Sequence, residues 1–242
     1  MNLCIDQGNS STKIGIFNKD KLVDTFVYDH FGKSELSELL AMFSISNCIV
    51  SSVISDNTEL LKELKDKIKI LIELSHSTSI PITNNYSTPE TLGNDRLAAV
   101  VGASYLKPGH DILVIDAGTA ITYDFIDATQ NYSGGNIAPG LNLRLWSLHE
   151  FTDKLPLVEP KIESQLFGNS TETAILSGVL YGIVFEIDGY INTLKIKYPQ
   201  LSTFLTGGST FYFDTKLKNA IFAERNLVLI GLNRILQYNV QK

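Results

Sequence analysis

LCIDQGNS, at residues 3–10, recurs 110 residues later as LVIDAGTA, at residues 113–120. The first copy leads into the apolar run Lys13–Phe17, and the second leads into Ile121–Phe125. In each copy a short apolar strand ends at Asp-x-Gly, and a second strand returns from that turn, as in a β-hairpin. A repeat at about half the length of a 242-residue chain predicts two similar domains.

The composition is that of a folded protein, since 44% of residues are hydrophobic and only 19% are charged. The net charge of −6 argues against a nucleic-acid groove. No membrane span is predicted, because the longest apolar run, Val179–Phe185, is too short. Residues 1–6 have no basic region of the kind that opens a secretory signal. Cys4 and Cys48 lie in strand-like contexts and predict reduced core residues of a cytoplasmic protein.

Periodic apolar patterns predict the remaining elements. The predicted helices are Ser34–Phe43, Thr58–Lys67, Leu97–Leu106, Thr171–Tyr198 and Leu227–Tyr238, and the predicted strands are Ile49–Val53, Ile68–Leu74 and Leu201–Leu205. Residues 131–135 are interpreted as a turn after the second hairpin. The break at residues 107–109 predicts an N-terminal domain at 1–108 and a C-terminal domain at 109–242. We therefore expect an α/β fold in which each domain is a mixed sheet flanked by helices.

Common nucleotide signatures are absent: the sequence has neither a Walker loop nor a Rossmann fingerprint, and it lacks zinc-ligand spacing and an esterase elbow. The Asp-x-Gly turns offer another way to bind phosphate, through outward-pointing backbone N–H groups. Asp6 and Asp116 would repel a triphosphate, so they imply cations at these turns. Lys13 can neutralise phosphate charge directly.

Three motifs together resemble those of the sugar kinase, actin and heat-shock ATPase superfamily: Asp6-x-Gly8-Asn9-Ser10-x-x-Lys13, Asp116-x-Gly118-Thr119-Ala120 and Gly207-Gly208. Further motifs resemble type III pantothenate kinase: Asn85-Tyr86-x-x-Pro89-x-x-Leu92-Gly93-Asn94-Asp95-Arg96, Gly134–Gly140 and Gly168–Glu172. The resemblance covers the whole chain in order. The sequence departs from the family pattern at Asn94, where alanine is common, and in its short loops. It implies two similar actin-like (ribonuclease H-like) domains with a nucleotide cleft between them.

The resemblance also implies roles for individual residues. The ATP-binding residues would be Asp6, Gln7, Gly8, Asn9, Ser10, Ser11, Thr12, Lys13 and Thr119. The pantothenate-binding residues would be Tyr86, Gly93, Asn94, Asp95, Arg96 and Thr171. Asp95 would be the general base, Arg96 would pair with the pantothenate carboxylate, and Asp116 would hold a monovalent cation, potassium or ammonium. Magnesium would accompany ATP, and the family resemblance implies a homodimer.

The implied activity is ATP-dependent phosphorylation of pantothenate to 4'-phosphopantothenate, the first step of coenzyme A biosynthesis. Two alternatives stay open from the sequence: a sugar kinase of the same superfamily, and a regulatory member that binds nucleotide without turnover. For Phe211–Phe213, a core or dimer contact is favoured over contact with the nucleotide base. For Trp146, packing on a helix face is favoured over stacking on adenine.

Overall fold

The computed structural model describes residues 1–8, 11–52, 58–162 and 165–240. The chain forms two compact units. The first contains Met1–Pro108, Gln130–Tyr132 and Asn226–Lys242, and the second contains Gly109–Thr129 and Ser133–Arg225. The division at residue 108 matches the break in the sequence, but the C-terminal helix, which the sequence division assigns to the second domain, packs in the first unit.

The elements follow one another in chain order. The strands are β1 (Asn2–Gln7), β2 (Thr12–Asn18), β3 (Lys21–Tyr28), β4 (Asn47–Ser52), β5 (Ile70–Glu73), β6 (Thr83–Asn84), β7 (Ile112–Ala117), β8 (Ala120–Ile126), β9 (Asn131–Pro139), β10 (Ser202–Thr206) and β11 (Phe222–Ala223). The helices are α1 (Lys33–Met42), α2 (Thr58–Lys67), α3 (Asn94–Leu106), α4 (Leu141–Glu150), α5 (Thr171–Lys197) and α6 (Leu227–Val240). All five predicted helices are confirmed, and α3 begins three residues earlier than expected.

The first unit contains a mixed five-stranded sheet in the order β3-β2-β1-β4-β5. β1 and β2 are antiparallel, whereas β1 and β4 are parallel. Alternate residues of β1, Leu3 and Ile5, are fully buried in a core that also contains Leu36 of α1 and Leu64 of α2. Since neighbouring side chains on a strand point to opposite faces, Asp6 lies on the other face of the sheet.

The second unit has strands in the order β11-β10-β7-β8-β9. β7 and β8 form the antiparallel hairpin that the sequence repeat predicts, and β10 lies parallel to β7. Leu113 and Ile115 of β7 are buried in one core with Leu180, Ile183 and Ile187 of α5. α5 is long and apolar enough to cross a membrane by length and composition, but 56% of its most apolar window is buried in the protein. Its buried side chains form part of the core of the second unit.

The interpretation of residues 131–135 as a turn is wrong, because they lie within β9. The chain turns earlier, where Asp127 Oδ1 accepts a hydrogen bond from the Thr129 N–H at 2.9 Å. Gly135 serves close packing instead: a Cβ at this position would overlap with the Tyr123 carbonyl group. Gly135, which suggests a turn in the sequence, therefore permits a close approach to β8.

Cys4 and Cys48 are both free and fully buried, which confirms the prediction that they are reduced core residues. Burial raises the pKa of both thiols. A thiol in such surroundings is unreactive, because the nucleophilic form is the thiolate.

A close glycine contact joins α3 to α6. A Cβ on Gly231 would overlap with the Ala98 carbonyl, and a Cβ on Gly102 would overlap with the Leu227 carbonyl oxygen. The two helices can approach this closely only because neither glycine has a side chain. The position of α6 therefore constrains the position of α3.

A chain of side-chain amides fixes α6 against the sheet of the first unit. Asn2 Nδ2 donates to Asn233 Oδ1 at 2.9 Å, and Asn47 Nδ2 donates to Asn2 Oδ1 at 2.9 Å. Asn233 Nδ2 donates in turn to the Lys19 carbonyl oxygen at 2.9 Å. Asn2 and Asn233 are buried, so a shift of α6 would leave polar groups unpaired at a cost of about 1–3 kcal/mol each.

The helix contact can be tested with Gly231→Ala. We expect this change to lower the free energy of unfolding by about 1–3 kcal/mol, because the added methyl group overpacks the contact. Urea denaturation followed by circular dichroism measures the difference. Gly32→Ser is the control in the same unit, since a Cβ there meets only Glu35 Oε2 at 3.6 Å. An equal loss of stability in both variants would contradict the proposed contact.

Candidate functional site

The two Asp-x-Gly segments are built alike, one in each unit. Asp6 lies opposite Lys13 in the β1–β2 hairpin, and Asp116 lies opposite Thr122 in the β7–β8 hairpin. Each aspartate is the second-to-last residue of its strand and is half-buried. The sequence repeat is therefore a structural repeat.

The glycine two residues after each aspartate closes its turn by a backbone hydrogen bond. Gly8 N–H donates to the Ser11 carbonyl oxygen at 3.0 Å, and Gly118 N–H donates to the Ala120 carbonyl oxygen at 3.1 Å. Asn9 and Ser10, which the sequence assigns to ATP, lie outside the described residues. Thr119 is exposed at the second turn.

Asp6 is held in an environment that disfavours its charge. Burial raises the pKa of Asp6 to about 6 from an ordinary value of 3.8, and repulsion from Asp95 adds to this shift. The positive charge of Lys13 and a hydrogen bond from Ser51 Oγ, at 3.4 Å, oppose it. Ser51 was not found from the sequence; it lies directly beside Asp6 because β1 and β4 pair in parallel.

Gln7 is on the opposite face of the sheet from Asp6. It is 5% exposed, and among the described residues its side-chain Oε1 has no hydrogen-bond partner. Its side chain lines a cavity of about 530 Å³ together with Phe31 and Leu60. A contribution of Gln7 to ATP binding would therefore come from its backbone.

The first turn of α3 carries Asp95, the predicted general base, and Arg96, the predicted partner of the substrate carboxylate. Gly93 caps the helix, and Asp95 Oδ1 accepts a hydrogen bond from the Arg96 N–H at 2.8 Å. Asn94 Nδ2 donates to the Leu74 carbonyl oxygen at 2.9 Å and ties this turn to the segment after β5.

Arg96 is 6% exposed, and its Cζ lies 5.6 Å from the centre of the Tyr86 ring. The Tyr86 ring stacks in turn on Tyr132, at 6.3 Å between ring centres and 12° between ring planes. The first unit thus brings Tyr86, Asp95 and Arg96 together with Asp6 and Lys13. Tyr132 was not found from the sequence, because it is distant in the chain from the motif that it contacts.

In the second unit, glycines from two other motifs surround the turn after Asp116. A Cβ on Gly207 would lie 2.5 Å from Asp116 Oδ1, and a Cβ on Gly140 would overlap with the Thr119 carbonyl oxygen. Gly207 also has a φ of +98°, which favours glycine. These contacts explain the first glycine of the pair after β10, whereas a Cβ on Gly208 would meet no atom within 4 Å.

Thr171 is the exposed first residue of α5, next to the capping Ser170. No described contact joins it to Asp116 or Thr119. The aromatic cluster Phe211–Phe213, which follows Gly207 in the sequence, is largely structural. Phe213 is fully buried, and Tyr212 packs on the same core. Phe211 remains 41% exposed and Trp146 on α4 remains 46% exposed.

The cation chemistry of the site depends on carboxylates. Among the described residues, no group of three or more His, Cys, Asp or Glu side chains is arranged to hold a metal ion. Asp6 and Asp95 are nonetheless close enough to repel each other, and Lys13 offsets only part of that repulsion. Magnesium that binds together with phosphate is usually held by one or two protein carboxylates. The carboxylate oxygens of Asp6 and Asp95 fit such an ion.

The raised pKa of Asp6 predicts a pH-dependent effect of Asp6→Asn in the absence of ATP and magnesium. Because the pKa of Asp6 is about 6 when folded and 3.8 ordinarily, the folded state holds this proton more tightly. The wild-type chain therefore loses stability as the pH rises through this window, and the amide removes the loss. We expect the variant to be more stable by up to about 3 kcal/mol at about pH 8, and the gain to vanish below about pH 4.

Urea denaturation across that pH range measures this difference. Asp24→Asn, which changes an exposed aspartate of the same unit, is the control and should show no such gain. A stability gain in Asp6→Asn that does not change with pH would refute the buried-charge explanation.

Comparison with known proteins connects this chain to one family. The family model described as type III pantothenate kinase matches residues 2–193. The type III pantothenate kinase of Phocaeicola vulgatus is 54% identical over 239 residues, which cover 99% of both chains.

Solved structures show the same fold at low sequence identity. A Campylobacter jejuni protein assigned to the Baf family of transcriptional activators has a TM-score of 0.66 at 24% identity, with 99% of this chain and 100% of that chain covered. A Listeria monocytogenes protein assigned as an N-acetylmannosamine kinase has a TM-score of 0.55 at 13% identity, with 98% and 99% covered.

The predicted α/β class is confirmed, with mixed sheets flanked by helices in the two-domain fold of actin-like sugar kinases. Full-length identity to one enzyme family decides against the sugar kinase and regulatory alternatives. The chain therefore belongs to the type III pantothenate kinase family, and it is an ATP-dependent pantothenate kinase of coenzyme A biosynthesis.

Proposed function

We propose that this chain transfers the γ-phosphoryl group of ATP to the hydroxyl of pantothenate, giving 4'-phosphopantothenate, with Asp95 as the general base. The observation that carries this assignment is the first turn of α3, where Asp95 and Arg96 adjoin Tyr86 and the half-buried Asp6. Asp95 would accept the hydroxyl proton as the oxygen attacks phosphorus. Phosphoryl transfer requires mainly positioning and charge neutralisation, and these residues can supply both.

Arg96 is proposed to bind the pantothenate carboxylate. Its planar guanidinium presents several N–H donors that match a carboxylate in two parallel hydrogen bonds. Tyr86, Gly93, Asn94 and Thr171 complete the proposed substrate set.

The phosphates of ATP are proposed to bind at the Asp-x-Gly turns. Residues 6–13 would contribute backbone N–H groups and the Lys13 charge, and Thr119 would bind the β- and γ-phosphates. ATP brings a divalent metal, which supplies charge neutralisation, and Asp6 is the residue whose carboxylate fits it. We further propose that Asp116 holds potassium or ammonium, since a carboxylate oxygen is the donor type that such cations accept.

Asp95→Asn tests the base directly, because the amide keeps the shape but cannot accept the proton. We expect kcat to fall by about 10²–10⁴-fold, the range for general-base catalysis. Pantothenate binding, measured by calorimetry with a non-hydrolysable ATP analogue, should persist. Glu90→Gln, at an exposed carboxylate nearby in the chain, should keep wild-type kcat. A kcat above about a tenth of wild type, with chemistry rate-limiting, would exclude Asp95 as the base.

The proposed role of Asp116 predicts a need for a monovalent cation. With magnesium present, replacing potassium or ammonium by sodium at constant ionic strength should lower kcat/KM. Asp116→Asn should abolish this cation dependence, whereas Asp153→Asn, at an exposed aspartate of the same unit, should retain it. Equal activity of the wild type in all three cations would refute the assignment.

We also propose a homodimer that forms through α5. Gly178, Gly182 and Gly189 lie at helical spacing, and a Cβ on any of them would meet no atom within 4 Å. Phe185 lies in the same stripe and is 56% exposed. An apolar, small-residue face of this kind suits close packing against another helix.

We further propose a cytoplasmic location, which the two free, buried cysteines support.

Phe185→Glu should convert the dimer into a monomer, because a carboxylate would have to be buried in the interface. Light scattering coupled to size-exclusion chromatography measures the mass. Val27→Glu changes a residue of the first unit that is 66% exposed and should leave the mass unchanged. A wild-type monomer, or a Phe185→Glu dimer of unchanged stability, would contradict this interface.

A further inference from the structure

We propose that Tyr132 is a positioning residue for pantothenate recognition, which acts through Tyr86 to orient Arg96. This inference rests on the proposed function, since it assigns a role toward the same substrate site. Tyr132 does not need to touch the substrate in this proposal. Its effect comes from the Tyr86 ring, which stacks on Tyr132 and also lies beneath the Arg96 guanidinium.

The first observation is the backbone around Tyr86. Thr83 N–H donates to the Gln130 carbonyl oxygen and Asn85 N–H donates to the Tyr132 carbonyl oxygen, both at 2.9 Å. Residues 130–132 therefore form a short parallel ladder with β6 and fix the path of the chain up to Tyr86. This ladder therefore constrains the backbone position from which the Tyr86 side chain extends.

The second observation is the ring of Tyr132 itself. Tyr132 is fully buried, whereas Tyr86 is half-buried and loops of this kind hold their side chains weakly without a packed neighbour. The near-parallel ring planes, 12° apart, place a rigid surface beside Tyr86. Stacked aromatic rings of this kind attract each other beyond what their buried area contributes.

The third observation is the contact between Tyr86 and Arg96. Arg96 is buried, and its guanidinium Cζ lies 5.6 Å from the centre of the Tyr86 ring. A cation–π contact is stronger where it is shielded from water. If the Tyr86 ring loses its support, the guanidinium loses one of the contacts that orient it, and a two-point pairing with a carboxylate depends on that orientation.

The test compares Tyr132→Leu, Tyr132→Phe and Phe17→Leu in steady-state assays with pantothenate and ATP varied separately. Phe17 is the control, because it is an almost fully buried aromatic residue of the same unit. For Tyr132→Leu we expect the KM for pantothenate to rise about tenfold, while kcat and the KM for ATP stay within about threefold of wild type. Tyr132→Phe keeps the ring and should restore the pantothenate KM to within about twofold.

A double-mutant cycle tests whether the effect passes through Arg96. In an Arg96→Ala background, Tyr132→Leu should change kcat/KM for pantothenate by less than about twofold, because the group that it orients is gone. A merely structural role for Tyr132 would lower kcat/KM by the same factor in both backgrounds. If Tyr132→Leu does not fold, Tyr132→Met, which fills a similar volume without a ring, is judged by the same criteria.

The proposal is overturned if Tyr132→Leu leaves the pantothenate KM unchanged, if it raises both KM values alike, or if Phe17→Leu gives the same selective rise. It is also overturned if the effect persists in the Arg96→Ala background. Failure of the proposed function is seen separately: a wild-type chain that does not phosphorylate pantothenate refutes that function and this inference together. A wild-type chain whose pantothenate KM depends on Arg96 but not on Tyr132 refutes only the inference.

Discussion

The removal of the Asp6 carboxylate from water is the constraint around which the candidate site of the first unit is built. Burial disfavours the charge of Asp6, and repulsion from Asp95 adds to this cost. Lys13 and Ser51 reduce the cost without removing it. The folded chain is therefore less stable above the pKa of Asp6 than below it. At the proposed site, a cation bound at Asp6 would relieve this cost, so ligand binding and the stability of the free protein make opposite demands on Asp6.

The fold positions Asp95 by holding the middle of α3 against α6. The glycine contacts between the two helices, at Ala98 and Gly102 of α3, leave no room for a side chain, and the amide chain from Asn2 through Asn233 fixes α6 to the sheet. Asp95 and Arg96 thus lie at the end of a helix whose position is set about one and two turns away. In the second unit the contacts are more direct, since Gly140 and Gly207 pack on the turn after Asp116. Close packing at glycines therefore positions the candidate site residues in both units.

Local patterns in the sequence were sufficient for the hairpins and the helices, because an Asp-x-Gly turn between apolar strands has few alternative structures. They were insufficient where a residue serves a distant neighbour. Gly135 reads as a turn residue, yet its lack of a side chain is needed by Tyr123 across the sheet. β3 has a mostly exposed pattern with no clean alternation, so it gives no strand signal. The roles of Ser51 and Tyr132 depend on strand pairing between segments far apart in the chain, which periodicity does not encode.

The placement of α6 in the first unit has a consequence for synthesis of the chain. Residues 1–108 leave the ribosome long before residues 226–240 exist, so the surface of α3 at Gly102 and the side-chain Nδ2 of Asn2 lack their α6 partners during most of translation. The first unit is therefore completed last, although its strands are made first. Vectorial synthesis favours N-terminal domains that close by themselves, and this one must wait with an open apolar surface. The demand for chaperones should accordingly be greatest while the second unit is being made.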